Sequence, residues 1–172
     1  MDNKDPMNWY AIYTRSKHEQ KVNDRLRRKC IETFLPLIER WSRRKDRRKR
    51  IKLPLFPGYL FVRAEMDANT YLEILKTDSV VRVLCNEDQP APIPYEQVHA
   101  IQVLIKNGIA VTPIPYLREG RRVRVVNGPL MGMEGILLKT KPNKHRLVLS
   151  VDLLQESVSV EIDELDIEPI HL

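Results

Sequence analysis

The octapeptide Leu55-Phe56-Pro57-Gly58-Tyr59-Leu60-Phe61-Val62 limits the fold of this chain more tightly than any other stretch. A Pro-Gly corner followed by apolar, aromatic and β-branched residues predicts a turn that feeds a strand. Side chains alternate across a strand, so Tyr59 and Phe61 share one face while Leu60 and Val62 share the other. A strand that is apolar on both faces must be covered twice. The domain's own helices can supply one cover and a binding partner the other; the plainer alternative is a central strand buried wholly within its own domain. Two of the chain's three Phe, Phe56 and Phe61, are spent here.

Charge is distributed as unevenly as aromaticity. The run from Arg43 to Arg50 holds seven basic residues and one acidic, as much net positive charge as the +6 of the whole chain. From Val151 to Leu172 there are seven acidic residues and no Lys or Arg. A basic front and an acidic rear suit a protein that meets a polyanion on one side only. At 172 residues, 42% hydrophobic and 30% charged, the chain suits one ordinary domain or two small ones. No apolar run reaches membrane-span length and the polar start is no signal peptide, so no membrane is expected. Cys30 and Cys85, without a C-x-x-C pair, read as reduced thiols of a cytoplasmic protein, with Cys30 in the core.

Along the chain, Trp9–Arg15 reads as a strand and Lys17–Cys30 as a helix buried along Val22, Leu26 and Cys30. His18, Lys21, Arg25 and Arg28 fall on one arc of that helix, a solvated face or a polyanion contact. Thr33–Ser42 and Lys49–Leu53 read as two strands joined by the basic run as a mobile hairpin tip. Ala68–Lys76 is a short helix carrying Tyr71, Leu72 and Leu75, and Val80–Cys85 is a strand. After the Pro90–Pro94 break, Tyr95–Asn107 is a helix with Val98, Ile101 and Ile105 inward, stopped by Gly108. This order implies an α+β domain, an antiparallel sheet flanked by helices. Residues 108–117, with Pro113 and Pro115, read as a semi-stiff tether. Beyond it, short strands at Arg121–Val126, Ile136–Thr140, Arg146–Leu153 and Ser157–Ile162 alternate with glycine turns and predict a small all-β barrel. In the last of them Val158, Val160 and Ile162 should point inward, and Ser157, Ser159 and Glu161 outward. The domains expected are therefore 1–107, a linker at 108–117, and 118–172.

WYAIYTR, LFPGYLFV and the spacing G-x-x-V-x-V-x-x-G-P-x-x-G-x-x-G from Gly120 to Gly135 together resemble the NusG family of transcription elongation factors. The chain is most similar to specialised paralogs of the RfaH and UpxY kind. The resemblance implies an NGN-like N-terminal domain and an SH3-like KOW barrel. It implies a factor that binds the clamp coiled coil of RNA polymerase, suppresses pausing and termination, and acts on specific operons, exopolysaccharide operons among them. Matched residue by residue, Tyr13, Phe56, Pro57, Tyr59 and Phe61 lie in or beside the polymerase-binding pocket. Arg15, Lys21, Arg25 and Arg28 match positions that face the non-template DNA of the transcription bubble; His18, on the same helix arc, and Arg43, Arg44, Arg47 and Arg48 of the basic run are nucleic-acid-binding candidates by position and charge. A ribosomal or other protein would bind the barrel. However, Leu154 and Glu164 stand where the general factor presents aromatics to that protein or to Rho, which fits an antiterminator better. The protein is expected to act as a monomer, with a barrel that stays β.

Other functions fit the residues less well. Gly58–Val62 echoes an RNA-recognition strand, but Leu60 stands where that motif wants a small residue and Pro57 where it wants a basic one. A ribosome-associated KOW protein would face RNA with an acidic barrel end. His18, His99, His145 and His171 lack metal-ligand spacing, and no nucleotide or nucleophile motif is present. No enzyme activity, metal or cofactor is therefore expected.

Overall fold

The computed structural model describes residues 6–42, 49–114, 116, 120–141 and 144–170. The chain divides into two compact units, one up to Tyr95 and the other from Glu96 onward.

The first unit is built on a four-stranded antiparallel sheet of β1 (Asn8–Thr14), β2 (Glu32–Phe34), β5 (Tyr59–Ala64) and β6 (Val80–Val83), in the order β2-β5-β1-β6. Its two central strands pair from Asn8↔Ala64 to Tyr13↔Tyr59. This register places Tyr10 and Ile12 beside Leu60 and Val62 on one face. Helices α1 (Glu19–Arg28) and α2 (Ala68–Leu75) cover that face through Val22, Leu26 and Ile74. On α2 the buried residue is Ile74; Tyr71 and Leu75 are half-buried and Leu72 is exposed, so the expected stripe is displaced toward Ile74.

The opposite face carries the aromatics. Trp9, Phe34, Phe61 and Phe56 form a chain of ring contacts 5.9–6.5 Å between centroids. The strand pattern expected for Tyr59–Val62 therefore holds on both sides. Trp9 also bridges Ile93, which places the proline break against the sheet edge rather than free of it.

Cys30 departs from expectation: it is exposed, with φ of +60°. The helix stops before it, because Ile31 N–H donates to Leu26 O (3.1 Å) and Cys30 N–H to Arg27 O (3.0 Å). This pair of bonds makes Cys30 the left-handed residue that closes the helix, not its last core position. Gly108 closes α3 (Tyr95–Lys106) with the same two bonds, as expected for it.

Thr33–Ser42 is not one strand. Pro36, whose carbonyl accepts from Leu55 N–H at 2.8 Å, separates β2 from β3 (Leu37–Trp41). Among the described residues the latter pairs only with β4 (Arg50–Pro54), from Leu37↔Pro54 to Trp41↔Arg50. Two short strands, β7 (Cys85–Asn86) and β8 (Gln89–Pro90), form a further small hairpin.

The second unit holds α3 and a six-stranded antiparallel sheet. Its strands are β9 (Thr112–Ile114), β10 (Arg121–Val125), β11 (Glu134–Lys141), β12 (Lys144–Val151), β13 (Glu156–Ile162) and β14 (Ile167–Pro169). They run in the order β14-β10-β11-β12-β13-β9. Gly135 is required on packing grounds, since a Cβ there would collide with Val148 O and the Leu147 side chain. Two expectations are corrected. Part of the expected tether is strand β9, which pairs with β13. Ser157 and Ser159 are consequently buried, not outward. The Ser159 hydroxyl accepts from Arg146 Nε at 2.9 Å, Ser157 and Ser150 share a hydroxyl bond of 2.8 Å, and Val158 and Val160 fill the other face.

Candidate functional site

The Pro57-Gly58 corner is held from three sides. Tyr59 N–H donates to Phe56 O at 3.1 Å across the turn, and Gly58 takes φ of +84°, open to glycine at least cost. The buried Glu19 carboxylate accepts from Gly58 N–H at 2.7 Å, and Gly58 O accepts from Thr14 N–H at 2.8 Å. The first residue of α1 and the last of β1 thus fix the corner together.

On that corner, Tyr13 and Tyr59 lie side by side, 5.2 Å between ring centroids and each half-buried. The Tyr13 ring lies against Gly58, where a Cβ would come within 3.0 Å. The Arg82 guanidinium covers the Tyr13 ring at 5.7 Å, and Pro57 is exposed beside the pair. Phe56 and Phe61 behave differently: they are 2% and 0% exposed. They hold the corner from within and offer no surface. Of the five residues expected at the pocket, three present atoms to solvent. Sequence reasoning missed Arg82 and Glu19, since nothing local marks an arginine that stacks on a distant tyrosine.

The basic arc is also divided. Arg15 N–H donates to Ser79 O (2.9 Å), and Arg15 O accepts from His18 N–H (3.1 Å), which closes the turn between β1 and α1. The His18 ring is occupied there, its Nδ1 donating to Ser16 O at 2.9 Å. Arg25 is bound to Asp78 twice, 2.7 Å to its carboxylate and 2.9 Å to its carbonyl. Lys21, Arg28 and the Arg15 side chain are exposed. Lys29, outside the expected set, ties α1 to Glu73 O and the Thr77 hydroxyl. Arg43, Arg44, Arg47 and Arg48 lie outside the described residues.

In the β unit Leu154 is buried, in a 3₁₀ turn after β12. Glu164 opens a second such turn, where Leu165 is 87% exposed. Asp166 O accepts from Val126 N–H at 2.8 Å, so the loop after β10 is tied to this turn. Arg122 and Arg124 both reach Glu134. Among the described residues no group of three or more His, Cys, Asp or Glu could hold a metal ion, and no helix is long and apolar enough to cross a membrane.

An α+β unit with an aromatic corner, followed by strands that carry the KOW-type glycines, is the arrangement that the sequence resemblance implies. A family model described as "Transcription termination factor nusG" matches residues 7–102, and the chain belongs to the NusG family of transcription factors. It is 27% identical over 176 residues to the transcription termination/antitermination protein NusG of Helicobacter pylori, covering 95% of this chain and 99% of that one. It is 25% identical over 173 residues to the protein of the same name from Pseudomonas aeruginosa, covering 94% and 98%. A solved structure described as "Domain interaction in Thermotoga maritima NusG" shares the fold, with a TM-score of 0.58, 18% identity and coverage of 96% and 98%.

Proposed function

We propose that this chain is a specialised elongation and antitermination factor of the RfaH/UpxY kind. Its NGN-like domain, 1–107, docks on the clamp coiled coil of RNA polymerase and holds it against pausing and termination. The observation that carries this reading is the half-open Tyr13–Tyr59 pair beside exposed Pro57, on a corner held by Glu19 and Thr14. A rigid aromatic surface that is already partly desolvated loses little entropy on binding, as binding hot spots require. Exposed Arg15, Lys21 and Arg28 would take phosphates of the non-template strand, whereas Arg25 must first leave Asp78. Arg43, Arg44, Arg47 and Arg48 would add a sequence-independent contact through their charge. The operons served are exopolysaccharide operons by resemblance alone.

The KOW barrel, 118–172, would meet a ribosomal or other protein. Exposed Leu165, Met131 and Val126 favour a contact away from buried Leu154. Capture of RNA polymerase by full-length Tyr59→Lys and Tyr13→Ala variants tests the proposal. Both should fold and release the polymerase, because a charge or a void in a desolvated interface costs several kcal/mol. Full capture by folded variants would overturn it. Mapping of transcripts associated with the wild-type complex identifies the operons.

A further inference from the structure

The chain has two tryptophans, and it uses them in opposite ways. Trp9 is 4% exposed in the sheet, whereas Trp41 is 59% exposed near the end of β3. An indole left in water on a two-stranded ribbon stabilises no core. It is nevertheless held in a set orientation. Trp41 pairs directly with Arg50 across the hairpin, and the guanidinium lies 5.2 Å from the centre of the indole ring. Glu39 steadies that guanidinium at 3.6 Å. The strand pair continues past Trp41 and Arg50 with Ser42 N–H donating to Lys49 O at 2.8 Å. Because directly paired residues share a face, Glu39 and Lys52 lie on the same side as Trp41 and Arg50. Lys49, Arg50 and Lys52 are all exposed.

We infer that Trp41 and Arg50 form a stacking platform for one unpaired base of single-stranded DNA. This rests on the reading that the chain works against DNA in the transcription bubble, and it names the chemistry of that contact. The indole offers a flat π surface that accepts any base, Arg50 holds that surface in place, and exposed Lys52 on the same face supplies positive charge for a neighbouring phosphate. Duplex DNA keeps its bases stacked within the helix and would touch the cations only. The ribbon therefore distinguishes open from closed DNA without reading its sequence.

The test uses the full chain carrying Trp9→Phe, so that Trp41 is the sole indole. Its fluorescence is titrated with a single-stranded DNA of about 12 nucleotides, an abasic strand of the same length, and the corresponding duplex. The base-bearing strand should quench Trp41 and the abasic strand should not. Trp41→Ala should weaken single-strand binding on the order of tenfold at fixed salt, with the salt slope unchanged, and Trp41→Phe should recover most of that affinity. Equal quenching by the abasic strand, or Trp41→Ala binding within about twofold of the parent, overturns the inference. Loss of polymerase capture by Trp41→Ala with its DNA affinity intact also overturns it, by making Trp41 a protein contact. The titration needs no polymerase, so a chain that quenches on DNA but never captures polymerase would retire the proposed function and leave this platform standing.

Discussion

At single positions, exposure decides whether an aromatic residue serves folding or contact. Phe56 and Tyr59 are three residues apart in one motif, yet Phe56 is buried and Tyr59 is half-open. Phe56→Lys should therefore fail to fold, destabilised by more than about 4 kcal/mol from the cavity and the buried charge together. Tyr59→Lys should stay folded. Urea melts of the two variants check this, and a normally folded Phe56→Lys would contradict the burial of that ring. Cys30 supplies a second residue-scale case. Its left-handed φ of +60° penalises a side chain. Cys30→Gly should raise stability by about 0.5–1 kcal/mol, seen as a higher urea midpoint at unchanged slope.

Individual elements depend on bonds that local pattern shows only in part. Helix α2 starts at Asp67, whose carboxylate accepts from Thr70 N–H at 2.7 Å. That bond, first among the causes, holds the Asp67 pKa below its ordinary value. The folded pKa lies below the unfolded one, so the cap's contribution is complete above about pH 4 and disappears as pH falls through the folded value. Asp67→Asn should remove this acid-side dependence, which pH-dependent melting of wild type and variant would register. Strand β9 hangs on Arg146, which donates to the Thr112 hydroxyl at 3.0 Å as well as to Ser159. Arg146→Ala should speed hydrogen exchange at Thr112 and Ile114 and leave β11 and β12 protected. Unchanged protection would show that backbone pairing with β13 suffices. The strand is hidden in the sequence because Pro113 breaks the usual strand pattern; it survives because β9 lies at the sheet edge, where proline is tolerated.

For the whole molecule, charge placement governs how DNA affinity responds to salt. Lys21 and Arg28 are exposed, while Arg25 is bound by Asp78, fifty-three residues away. Replacing Lys21 and Arg28 with Gln should lower the slope of log affinity against log salt by about one for each phosphate left unneutralised. Arg25→Gln should change it less, because the wild-type side chain already spends its charge on a carboxylate. Equal slopes for all three variants would make the helix a uniform basic surface.

Periodicity alone is enough to assign the sheet faces of Leu60, Phe61 and Val62, the Val22–Leu26 stripe, the stop at Gly108 and the order of α+β elements followed by β elements. These follow from nearest-neighbour geometry, in which each side chain's direction is set by the turn or pleat it belongs to. The KOW glycines are legible for the same reason, since spacing carries them. Which faces end up covered is decided elsewhere in the chain. Ser157 and Ser159 alternate with valines as surface residues do, and they are buried because β9 arrives from more than forty positions away. Cys30 fits the apolar stripe and misses the core because the helix ends before reaching it. Arg25 belongs to a basic arc and is claimed by Asp78, and Trp41 meets Arg50 only once the hairpin has closed. A sequence pattern states where a side chain points along its own element; only the assembled tertiary structure brings the distant group that covers it, pairs with it or leaves it to solvent.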